Sequence, residues 1–184
     1  MEKQDTKGKI VKETLPSETV SIIGDILAGI VLTFLILPFK SFLLLIVIIP
    51  ALLSLRGNLS GPFIARTSRD LIIGEFDKKS WTENILATYA LALVTAFLIG
   101  FFSIILEIYL IQSSLLPLRI IIAIPLFSIL LALSISIPCS TALNYLAFKY
   151  GLNPNNVVNP IMTAVDDFFT VICFYLTIII LGVP

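Results

Sequence analysis

Five runs of apolar residues, each long enough to cross about 30 Å of hydrocarbon as a helix, divide this 184-residue chain and limit what it can fold into. The first covers about 20–37. The second begins near Ser41, runs through "FLLLIVIIPALLSL" and meets "RGNLSGPFIARTSRD". The third covers about 83–111, the fourth about 116–148 and the fifth about 157–183. Hydrophobic residues make up 58% of the chain and charged ones 13%, with a mean hydropathy of +1.05, which leaves too little polar surface for a soluble domain. The chain therefore reads as an all-α integral membrane protein, with five transmembrane helices over 20–184 preceded by a polar tail over 1–19.

Lysine and arginine set the orientation. With the N-terminus inside, the inner segments hold Lys3, Lys7, Lys9, Lys12, Arg66, Arg69, Lys78, Lys79 and Lys149, while the outer ones hold only Lys40 and Arg119. The expected topology is N-in/C-out, with the tail cytoplasmic. That tail is too long and too acidic for a signal-peptide n-region, and no A-x-A site follows. An odd number of spans puts the termini on opposite sides, so the unit is not a complete two-fold-repeated transporter but can pair with a second copy. The formal net charge is zero, which gives no reason to expect a nucleic-acid partner. Histidine is absent, which removes the commonest transition-metal ligand and general base. Cys139 and Cys173 lie far apart in apolar runs and read as small buried hydrophobes.

Carboxylates inside spans need a reason, because one at mid-bilayer costs roughly 2.5–3.5 kcal/mol on insertion scales. Four are present: Asp25, Glu107, Asp166 and Asp167. Asp25 lies about a turn and a half into the first span, facing either headgroups or a vestibule. Glu107 lies near the outer end of the third, within reach of the interface. In the fifth span Asn159, Thr163 and Asp167 are four apart and form one slightly drifting stripe, with Asp166 turned away by about 100°. Amide, hydroxyl and carboxylate are hard oxygen donors, which suit Mg²⁺, Ca²⁺ or Mn²⁺. The competing reading has both aspartates hydrogen-bonded to neighbouring helices. Arg56 is the only cation near a span core available to pair with them. Adjacent aspartates point in different directions and do not suit an intramembrane aspartyl protease, which needs two that share a proton. The second span is interrupted on paper by Pro50, Gly57 and Gly61-Pro62, with Asn58 and Ser60 among them, and reads as broken backbone facing a cavity. Pro125 and Pro138 in the fourth span read as ordinary kinks.

Two stretches resemble the MgtE family of magnesium transporters. "PALLSLRGNLSGPFIARTSRDLIIGEF", residues 50–76, is similar to the family's second transmembrane helix, in which a proline precedes an L-K/R-G-N-L type run and a small-residue segment ending in I-G-E or I-G-Q. "NPNNVVNPIMTAVDDFF", residues 153–169, is similar to its last helix, with a proline seven residues before an aspartate; counted from Pro160, that aspartate is Asp167. The resemblance covers about 20–184. It implies an MgtE-like transmembrane domain, a homodimer with the ion path at its interface, and a cargo of Mg²⁺ or another divalent cation such as Mn²⁺. The implied metal set is Asp167, Asn159 and Thr163 with Asp166, joined by Asn58 and the carbonyl of Gly57. Bacterial members place a second asparagine three positions after the G-N pair; here that place is Gly61, and the animal-type branch lacks the asparagine as well. Asp166 stands where the family usually has a small or polar residue. The cytoplasmic regulatory domains of bacterial members have no counterpart, so any such gating would come from a separate subunit.

The expected function is divalent cation transport across the plasma membrane by a multi-pass protein that is not an enzyme. The alternatives are an H⁺- or Na⁺-coupled carrier of another cation, and a membrane scaffold without transport.

Overall fold

Helix is the economical answer for an apolar chain in lipid, because it satisfies every peptide group within one segment. The computed structural model describes residues 6–112 and 116–183, and within them the chain is helical almost throughout. Helix α1 spans Lys7–Thr33, its first turn capped by the Thr6 hydroxyl, which accepts from the Lys9 N–H at 3.4 Å. Residues 7–19 of the polar tail are thus the opening turns of α1, while residues 1–5 lie outside the described residues. A short α2, Ile36–Ser41, joins it to α3, Leu44–Ile73. Gly74 closes α3 in the left-handed region at φ +78°, where a side chain would be strained. Helix α4, Lys78–Leu106, starts on an Asp77 carboxylate that accepts from the Ser80 N–H at 2.7 Å. It widens into a π turn at Glu107–Ile111, closed by Gln112 at φ +54°. Helix α5 spans Leu118–Lys149, and α6 spans Pro154–Ile180, with Asn153 as side-chain cap and Pro154 at the first helical position. Five of these helices are long and apolar enough to cross a membrane, the third counted through its π turn. The chain is a multi-pass membrane protein.

Two expectations change. Helix α3 is continuous for 30 residues, about 45 Å, straight through the anticipated breakers. Each proline deletes one intrahelical hydrogen bond, and in lipid one lost bond costs far less than unwinding a turn. The local effect is confined to the carbonyls four residues upstream: Pro50 leaves Ile46, and Pro62 leaves Asn58, without a helical N–H. Glu107, expected to reach the interface, is buried at 5% exposure.

Helix α6 is central. Helices α1, α3 and α5 pack on it, α4 packs on α3 and α5, and α1 rests chiefly on α6. Small residues make these contacts close. A Cβ on Gly24 of α1 would stand 2.5 Å from the Ala164 Cβ of α6, and one on Gly100 of α4 would stand 2.8 Å from the Ile122 Cα of α5. The inner face of α5 repeats every fourth residue as Ser128, Ala132, Ser136, Ser140 and Asn144, all buried.

Candidate functional site

Helix α6 carries both aspartates, and its rotation of about 100° per residue sends them to different surroundings. Asp166 faces inward and is 2% exposed. Its Oδ1 accepts from Arg56 Nη2 of α3 at 2.6 Å and from the Ser136 hydroxyl of α5. Arg56 is fully buried. This ion pair ties three helices together in the interior of the bundle. Each partner keeps unused hydrogen-bonding atoms: Arg56 Nε and Nη1 and Asp166 Oδ2 have no partner, nor does the buried Thr170 Oγ1 one turn further along α6.

Asp167 is half-buried, and Thr163 and Asn159 on the same stripe are exposed. Their place follows from the neighbours on either side. Around the helix, Asp166 points to α3 and α5, and Ala164 presses on Gly24 of α1. Thr163 and Asp167 fall between those two directions, so they face the gap between α1 and α3, with α6 as its floor. Thr163 donates its hydroxyl to the Asn159 carbonyl at 3.0 Å, which leaves its oxygen able to accept from outside. On the α1 side, exposed Asp25 follows Gly24. Asp25, Asp166 and Arg56 all lie within electrostatic reach of Asp167.

The α3 wall is fixed by two contacts. Arg56 meets Asp166, and the position a Cβ of Gly61 would take lies 3.9 Å from Asn159 Oδ1. As numbering rises along α3 it falls along α6, so the helices run antiparallel there. Gly57 and Asn58 come between the two contacts, at the level of Thr163. Both are exposed, and a Cβ on Gly57 would meet nothing within 4 Å. Asn58 also lines a groove of about 440 Å³ between α3 and α4, whose walls are Val47, Ser54, Thr95, Phe102 and Leu106 among others.

Of the residues singled out by sequence, Asn159, Thr163 and Asp167 share one stripe of α6 that the single chain leaves open, and Gly57 stands at their level on α3, while the Asn58 side chain turns to the groove between α3 and α4. The structure separates Asp166 from that set and gives it to Arg56. Asp25 joins the open side. Sequence reasoning named Arg56 as the one cation within reach of the two aspartates but did not tell which of them it meets, and it missed Ser136. Among the described residues, no three His, Cys, Asp or Glu side chains gather closely enough within this one chain to hold a metal ion.

The family model for MgtE, described as a divalent cation transporter, matches residues 49–177, from the second span to near the end of α6. No curated protein and no solved structure gives a match.

Proposed function

Because the chain belongs to the MgtE family of divalent cation transporters, we propose that its cargo is Mg²⁺ and that two copies, paired in the plasma membrane, carry it past Asp167. One observation carries this reading: Asn159, Thr163 and Asp167 lie on an open face of a helix in an otherwise apolar chain, where lipid alone would be a poor neighbour. A second copy set against that face would supply the remaining oxygens that one chain lacks.

Mg²⁺ demands near-octahedral oxygen coordination and gives up its waters reluctantly. In the proposed path it stays partly hydrated. The Asp167 carboxylates of the two copies approach across the two-fold axis and accept hydrogen bonds from its waters, or bind it directly. Asn159 and Thr163 line one side. Asn58 and the Gly57 carbonyl offer oxygens from α3, and the Asn58 carbonyl has no helical donor because residue 62 is proline. Two like charges held close repel each other, and a divalent cation relieves that repulsion. Asp25 adds a further negative charge on the approach. Passage also requires that the ion not be held too tightly. The lysine and arginine distribution supports an N-in/C-out arrangement.

The test is divalent flux into vesicles containing the purified protein. Asp167→Ala is expected to abolish Mg²⁺ uptake while the protein still inserts and pairs. Uptake at the wild-type rate would remove Asp167 from the path. Two carboxylates within electrostatic reach of each other, Asp25 and Asp167, also favour, as a second reading, an H⁺- or Na⁺-coupled carrier of another cation. Uptake measured with and without a pH or sodium gradient separates the two.

A further inference from the structure

The buried ion pair has features that stability does not explain. Isolation of two charges from water is costly, and attraction offsets that cost only when geometry and remaining hydrogen bonds are good. Here Arg56 Nη2 and Asp166 Oδ1 are 2.6 Å apart, yet Arg56 Nε, Arg56 Nη1 and Asp166 Oδ2 have no partner. An apolar pair of similar volume would be expected to hold α3, α5 and α6 together as well. What the pair does provide is charge. Asp166 adjoins Asp167 in sequence, and both it and Arg56 act on Asp167 electrostatically. Left alone, Asp166 would add a negative charge beside the ion path.

We propose that Arg56 is an affinity-setting residue for the transported divalent cation: its fixed charge cancels that of Asp166 and keeps the Asp167 site weak enough to release its ion. This rests on the reading that Asp167 lies on the path. The guanidinium suits the role because it stays charged at all accessible pH. Arg56 acts through Asp166 and Asp167 and does not touch the cation, so it is a positioning and charge-balancing residue.

Opposite substitutions should move affinity in opposite directions, whereas a purely structural strut would give the same direction for both. Asp166→Asn leaves the guanidinium uncancelled and is expected to raise the half-saturating Mg²⁺ concentration roughly tenfold; Arg56→Gln is expected to lower it by a similar factor. The double variant Arg56→Met with Asp166→Leu removes both charges and should restore half-saturation to within about threefold of wild type. Half-saturation is read from uptake into vesicles and, independently, from the Mg²⁺ dependence of thermal unfolding. The proposal is overturned if both single variants weaken binding, or if the double variant folds poorly or stays shifted. Asp167→Ala, measured alongside, keeps the two ideas apart. Loss of uptake there with same-direction shifts in the pair would sink only the role of Arg56. Retained uptake there would sink the Asp167 reading itself.

Discussion

The two sides of α6 handle the same functional group in opposite ways. On the inner side, Asp166 is enclosed, bonded to a guanidinium and a hydroxyl, and held among three helices. On the outer side, Asp167 has no comparable fixed partner among the described residues, and its neighbours Thr163 and Asn159 reach open space. One residue of helical rotation separates a carboxylate whose charge is answered within the bundle from one that meets no counter-charge at bonding distance among the described residues. The lesson is that a charge in a membrane helix carries meaning only with its counter-charge located. Two adjacent aspartates are not one site.

Substitutions can break that contrast in graded steps. The largest effect belongs to Asp167→Ala, which should end uptake without loss of fold. Next, Arg56→Ala strands a buried carboxylate and is expected to cost about 3–5 kcal/mol, measured by unfolding in detergent. Gly24→Ala pushes α1 off Ala164 and should cost about 1–3 kcal/mol while also shifting half-saturation, because α1 forms one wall beside Asp167. Gly100→Ala is its control: it overpacks α4 against α5 at similar cost but lies away from the open face, so half-saturation should stay put. Ser136→Ala removes one bond to a charged group and is expected to cost about 1.5–3 kcal/mol with uptake largely kept. Smallest is Thr163→Val, which loses a hydroxyl bonded only to its own helix. Stability should change by less than about 1 kcal/mol, and uptake by a few-fold.

The five spans and the Asn159–Thr163–Asp167 stripe were legible because both are local. Apolar length and four-residue spacing need no knowledge of what lies opposite. The Arg56–Asp166 pair was not legible, because its partners are 110 residues apart and their meeting depends on how α3 and α6 are packed. The same limit applied to Glu107, whose position along its span said nothing of which way it turned. Breakers misled in α3 for a different reason. Proline and glycine propensities describe helices in water, where an unwound turn can bond to solvent. In hydrocarbon that alternative is missing, and the helix runs on.

Helix α1 differs from the other spans in resting chiefly on one neighbour, α6, with most of its surface left open. Only 17% of its most apolar window is buried, against 50% for α3 and for α5, and its chief contact is the seam where Gly24 meets Ala164. Such a segment is the natural first unit to detach in a sub-global opening. Amide exchange along α1 should then outpace that of α5, and each excursion would momentarily unroof the acidic floor while the remaining bundle stays folded.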